Sequence, residues 1–248
     1  YGSNIAMIPL TPMMRSAITS TGLALAGDDS SRWTRPSKPA AQSTIEATSV
    51  HGDWAAGIEA EGAGLTTVQN DGDIHAAAGY GAAIGIYATG AEVEIGNTGS
   101  IEAQGYYATG IEVQSAGDVT VTNDGGIAAG TPYYSVLATG IDAASNGDGA
   151  LVTVVNNGDV SAQAYYGGTG IAATASGVGG SVNVINSGAI YASQHSMYGY
   201  GAYGIVASAD ADSAIDNSGT IEVHSGGVAN GAAAFSYGVL EALRETEV

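Results

Sequence analysis

Six times along this chain an asparagine is followed two residues later by glycine and four residues later by isoleucine or valine: at Asn70, Asn97, Asn123, Asn156, Asn186 and Asn217. Successive asparagines stand 27, 26, 33, 30 and 31 residues apart. A Gly-Ile pair precedes each of them, at Gly57-Ile58, Gly85-Ile86, Gly110-Ile111, Gly140-Ile141, Gly170-Ile171 and Gly204-Ile205, with a last echo expected at Gly238-Val239. Repeats of this length are the mark of a solenoid, in which each unit buries its apolar face only against its neighbours.

Parity identifies the unit. Val119, Val121, Asn123, Gly125, Ile127 and Ala129 all fall on one side of an extended chain, and Thr120, Thr122 and Asp124 fall on the other. The same register holds for Val152 through Ala162 and for Val182 through Ala192. That is period-2 patterning with one buried face. Ile111/Val113, Ile141/Ala143 and Ile171/Ala173 add a second short strand after each glycine. Each coil therefore reads as strand, turn, strand, Asn-Gly corner, short strand, loop. Helix is excluded because glycine, 39 of 248 residues, recurs inside every repeat and would cost about 1 kcal/mol at each helical position. At the corners, equivalent asparagines about 4.8 Å apart can hydrogen-bond along the stack, so no amide is buried unpaired. An antiparallel hairpin array would also use Asn-Gly turns, but would not keep Asn, Gly, Ile and Ala in one parity.

The recurring Ala-x-Gly-Ile-x-Ala followed by Val-x-Val-x-Asn-x-Gly-x-Ile-x-Ala resembles the repeats of autotransporter (type V secretion) passenger domains, surface and secreted proteins of Gram-negative bacteria. The resemblance implies an all-β fold, a right-handed parallel β-helix of about six to seven coils over residues 45–239, at the bacterial outer surface or outside the cell. Two features depart from that pattern: the chain does not begin with Met, and it carries no C-terminal series of alternating ten-residue strands suited to an outer-membrane barrel. The expectation is a passenger portion or a stand-alone relative.

Composition marks the boundaries. Residues 1–44 hold four of the five prolines, four of the five basic residues and no repeat, which reads as an N-terminal extension, cap or linker. Ser16–Ala26 is too rich in Ser and Thr for a good signal-peptide core. Past residue 239 the β pattern ends, and Val239, Leu240 and Leu243 fall at helical spacing, so residues 240–248 are expected to form a short capping helix. No apolar run is long enough to cross a membrane as a helix. Cysteine is absent, so no disulfide supports the core.

Residues 39–243 contain no Lys or Arg but hold most of the 24 acids, which excludes nucleic acid and anionic lipid as partners. Asp71/Asp73, Asp148 and Asp210/Asp212 could offer oxygens to a divalent cation, but they match neither an EF-hand loop nor the calcium-binding nonapeptide, so no metal and no cofactor is expected. The four histidines share no ligand spacing, and neither a Gly-x-Ser-x-Gly elbow nor a His-Glu-x-x-His motif occurs. Glu92 and Glu94 are same-face neighbours, as a glycosidase pair would be, but read better as solvated surface acids. Polysaccharide-cleaving chemistry is the weakest of the functional expectations, and a non-enzyme the strongest.

What remains is tyrosine. Tyr106-Tyr107, Tyr133-Tyr134 and Tyr165-Tyr166 recur near the repeat length in the loop before Gly-Ile, and Tyr198, Tyr200 and Tyr203 occupy the corresponding stretch of a later coil. Stacked on one edge, such rings either seal the core or form a ridge for a sugar face or a protein. Two functions follow: a surface adhesin whose Tyr-rich edge binds glycan or protein of a host or bacterial surface, or the subunit of a self-associating extracellular filament.

Overall fold

The computed structural model describes residues 30–32, 44–49, 54–236 and 244–245, which form three parallel β-sheets wound into a solenoid of about six turns. Each turn contributes one strand to each sheet. The Gly-Ile sheet contains Trp54–Glu61, Ala82–Gly90, Tyr107–Ser115, Leu137–Ser145, Gly167–Ala175, Gly201–Ala209 and Ala229–Ser236. The Val-Asn sheet contains Leu65–Asn70, Glu92–Asn97, Val119–Asn123, Leu151–Asn156, Ser181–Asn186 and Ser213–Asn217, with Ser30–Arg32 and Arg244–Glu245 at its edges. The Ile-Ala sheet contains Thr44–Ser49, Asp73–Ala78, Ile101–Gln104, Ile127–Ala129, Val160–Ala164, Ala189–Gln194 and Thr220–Ser225. No helix occurs among the described residues.

The extension expected over 1–44, with Ser16–Ala26, lies outside the described residues except for Thr44 and for Ser30–Arg32, a strand paired with Leu65–Thr67. The expected capping helix also lies outside them, save Arg244–Glu245, which pair as a short strand with Asp216–Asn217. The Gly-Ile position that follows Gly204-Ile205 is Gly231-Ala232, because Ala232 is the register partner of Ile205, and the echo expected at Gly238-Val239 lies outside the described residues. The motif at Gly231-Ala232 had lost its isoleucine, so matching by residue type passed over it.

One side of each Val-x-Val-x-Asn-x-Gly-x-Ile-x-Ala run is buried, and the side chains of Val119, Val121, Asn123, Ile127 and Ala129 are almost wholly covered. Ile111, Ile141, Ile171 and Ile205 stack in register through the Gly-Ile sheet and meet the Val and Ile columns of the other two sheets in a single apolar core. A second cluster, purely alanine, includes Ala83, Ala108 and Ala138 with Ala103, Ala129 and Ala162. It fills the corner where the Ile-Ala and Gly-Ile strands converge.

The buried asparagines form a continuous ladder. Asn70 Nδ2 donates to Asn97 Oδ1 at 2.7 Å, and the step repeats to Asn123, Asn156, Asn186 and Asn217 at 2.6–2.7 Å. The second amide hydrogen donates to the carbonyl two residues on, as from Asn123 to Gly125 at 3.0 Å and from Asn156 to Gly158 at 2.8 Å. Both donors of each interior amide are thus used, which is what burial requires. A serine does comparable work at the opposite corner: Ser145 Oγ donates to the Gly117 carbonyl at 2.6 Å and accepts from Gly147 N–H at 3.2 Å.

The glycines of the Gly-Ile pairs and of the Asn corners are required by space rather than by unusual torsion. A Cβ on Gly140 would lie 2.5 Å from the Gly170 carbonyl oxygen and closer still to Val160 Cγ1, and Gly85, Gly110, Gly170 and Gly204 are crowded in the same way. The strand does not begin after this glycine but runs through it. Ala108 and Gly110 face inward, and then Ile111, Val113 and Ser115 do, so parity flips at the pair and pairing skips the glycine. At the Asn corners, a Cβ on Gly125 or Gly158 would strike the glycine carbonyl of the preceding coil.

Candidate functional site: the tyrosine edge

The loops joining the Ile-Ala sheet to the Gly-Ile sheet lie over the alanine corner and are stacked by backbone hydrogen bonds. Val136 N–H donates to the Tyr106 carbonyl at 2.7 Å, Tyr166 N–H to the Val136 carbonyl at 3.0 Å, and Tyr200 N–H to the Tyr166 carbonyl at 2.6 Å. One row therefore reads Tyr106, Val136, Tyr166, Tyr200. The Tyr133-Tyr134 pair does not share it: Gly130, at φ +73°, opens a turn closed by Ser135 N–H to the Thr131 carbonyl, and the pair projects from that turn. The neighbouring row on the Gly-Ile sheet is Trp54, Ala82, Tyr107, Leu137, Gly167, Gly201. Two residues further along, Thr109, Thr139, Thr169 and Tyr203 form an outward column.

The rings are in solvent. Tyr198 is 87% exposed and Tyr133 78%, while the best covered of the paired tyrosines, Tyr166, is still 37% exposed. Tyr200, Tyr106, Tyr107, Tyr134 and Tyr165 are exposed as well, and Tyr203 is half-buried with its hydroxyl donating to the Tyr200 carbonyl at 3.4 Å. Tyr106 and Tyr107 meet edge to face at 5.4 Å, and Tyr165 and Tyr166 at 4.8 Å. His195 links coils, 4.6 Å from the Tyr133 ring and 6.3 Å from the Tyr165 ring. This histidine was not apparent as part of the edge from sequence, although it stands three residues before Tyr198. Trp54 and Tyr87, in edge-to-face contact at 5.3 Å, form a second aromatic group on the outer face of the Gly-Ile sheet.

Charge is distributed unevenly. Residues 160–209 contain no Asp, Glu, Lys or Arg, and neither do 76–86, 103–111 or 125–141, so every loop bearing these tyrosines lacks acidic, lysine and arginine side chains. The acids lie elsewhere. Glu59, Tyr87, Glu112 and Asp142 form a register column on the outer Gly-Ile face. Burial, with the Glu112 carboxylate beside it, pushes Asp142 up to about 6. Glu59 is raised by burial and then by Glu61, and Tyr87 by burial and then by Glu112, Glu61 and Glu59.

Most of the other acids singled out from sequence serve the turns or lie in solvent. Asp148 accepts from Val178 N–H at 3.0 Å, Asp210 from Gly179 N–H at 2.8 Å, and Asp73 from Ser100 Oγ at 2.6 Å. Glu92 and Glu94 are exposed. Among the described residues no group of three or more His, Asp or Glu converges as a metal site would need. A shallow trough on the outer Ile-Ala face is floored by Ala128 and Ser161 and flanked by Glu102, Asp159, Tyr191 and Glu222. No protein-family model, curated protein or solved structure matches the chain.

Proposed function

We propose that this chain is an extracellular β-helical binding module of the autotransporter-passenger type, displayed at a bacterial outer surface, and that it engages its partner through the tyrosine edge. The observation that carries this reading is the placement of solvent-exposed tyrosines on stacked loops without formal charge, in a chain whose net charge is −19. Exposed aromatic clusters of this kind mark interaction sites, since water gains from their burial and a rigid ring loses little entropy on binding. The test replaces Tyr133, Tyr166 and Tyr200 with Ser and leaves every inward position intact. Adhesion to cells should fall sharply while the melting temperature moves by only a few degrees, because rings this exposed contribute little to folding. Unchanged adhesion with a large loss of stability would reassign the edge to packing.

A second reading is end-to-end assembly into a filament. It is favoured by the inward residues at the two ends of the described stack, Ile45 and Ile58 at one and Ile221, Ala232 and Ala234 at the other, which are only partly buried. Electron microscopy of purified protein separates the two, since filaments that lengthen with concentration belong to this reading and discrete rods to the first.

A further inference from the structure

We infer that the partner of the tyrosine edge is an uncharged, extended β-1,4-linked polysaccharide lying along the solenoid axis, its pyranose faces on the Tyr106–Tyr166–Tyr200 row and its hydroxyls on the Thr109–Thr139–Thr169 column. The inference rests on the reading of this edge as a binding surface and adds the chemistry of what it binds.

Three observations carry it. The first is spacing. Successive coils are about 4.8 Å apart, so Tyr166 and Tyr200 stand one coil apart and Tyr106 and Tyr166 two. That is close to the advance per sugar ring in an extended, equatorially linked chain, so one polymer can meet several rows in turn. An α-linked glucan curves away from such a straight array. The second is the pairing of chemistries. The axial C–H face of a pyranose is apolar and stacks on an aromatic ring, while its edge carries hydroxyls. Here the aromatic row runs beside a column of outward threonine hydroxyls in register, at Thr109, Thr139 and Thr169, three residues or about 10 Å further along the chain, a gap the long tyrosine side chains lean across. The third is electrostatic. Residues 160–209 carry no formal charge and the protein as a whole carries −19, so the edge offers no counter-charge to an anionic polymer and the surrounding field repels one.

Isothermal titration with cellohexaose, maltohexaose, oligogalacturonate and chitosan hexamer tests the inference. Cellohexaose should bind, with an affinity nearly independent of NaCl, maltohexaose should bind about tenfold more weakly or worse, and oligogalacturonate should not bind. Replacing Tyr106 and Tyr166 together by Ser should weaken cellohexaose about tenfold or more, and Thr139→Val, which keeps the shape and removes one hydroxyl, about threefold or more. Tyr191→Ser, on the neighbouring face, should leave binding unchanged, and thermal melts of all variants should stay within a few degrees of the parent. Preference for chitosan that vanishes in salt would overturn the uncharged class while leaving the edge as the site. Tyr-dependent binding of a protein or of a second copy, seen by sedimentation without any saccharide binding, would overturn the polysaccharide and again keep the edge. Saccharide binding indifferent to the tyrosines would overturn both.

Discussion

Asn156 shows how much one residue can carry in a solenoid. It accepts from Asn123 at 2.7 Å and donates to Asn186 at 2.7 Å and to the Gly158 carbonyl at 2.8 Å, fully buried. Asn156→Ala leaves a donor of Asn123 and acceptors on Asn186 and Gly158 stranded in a dry core, and should cost on the order of 3 kcal/mol or more by chemical denaturation. Asn217→Ala, at the half-buried end of the ladder, should cost about 1 kcal/mol; equal losses at the two sites would mean that the ladder's hydrogen bonds contribute little. Asp142 acts in the opposite direction. Its folded pKa of about 6 lies above the ordinary 3.8, so its ionisation opposes folding. The penalty is fully present above pH 6 and is relieved as pH falls toward 4. Asp142→Asn should therefore be more stable than the parent at pH 7.5, by on the order of 2 kcal/mol, and should converge with it near pH 4. Glu112→Gln, which removes the carboxylate facing Asp142, should reproduce part of the gain. Identical pH–stability curves for parent and Asp142→Asn would show that the site is better hydrated than its packing implies.

At the level of the strand, the glycine column of the Gly-Ile sheet sets how closely two sheets approach. Gly140→Ala forces a methyl against Val160 Cγ1 and the Gly170 carbonyl, in a place where neither neighbour can withdraw without breaking the stack. The expected cost is about 3 kcal/mol or more, with loss of folding an acceptable extreme of the same outcome. Gly126→Ala is the matched comparison, because nothing lies within 4 Å of its added methyl. Its stability should stay within about 0.5 kcal/mol of the parent. Circular dichroism melts of the pair check this, and similar melting would mean that the Gly-Ile glycine serves backbone flexibility rather than clearance.

The whole molecule behaves as a stack, and a stack should tolerate losing one member. Deleting Asp124–Asn156 joins Asn123 to Asn157 and so preserves Asn-x-Gly-x-Val across the junction, with Asn97 retained and Asn186 gained as ladder neighbours of Asn123. The shortened chain should fold, and its denaturant m value should fall by about a sixth, in proportion to the coil removed. Leaving Asn156 in place by deleting only Asp124–Val155 puts every following residue out of phase and should abolish cooperative unfolding. If both deletions fold equally well, the register between coils is not what specifies the fold.

The sequence by itself determined the solenoid, the buried parity and the asparagine ladder, because alternation and repeat length are properties a strand carries with it, and six copies of Asn-x-Gly-x-Ile/Val leave one way to bury them all. It did not determine which tyrosines share a row. Tyr133-Tyr134 look in phase with Tyr106-Tyr107 and Tyr165-Tyr166, yet the long step of 33 residues between Asn123 and Asn156 is spent partly in the Gly130–Ser135 turn, and Val136 takes the place in the row. Nor could it reveal His195 between Tyr133 and Tyr165, the crowding that requires glycine before each core isoleucine, or the shift of Asp142. Each of these depends on atoms about one coil or more away in the chain but only a few ångströms away in space, and how coils are offset is decided by loop lengths that vary while the strands do not. Only the tertiary structure brings those atoms together.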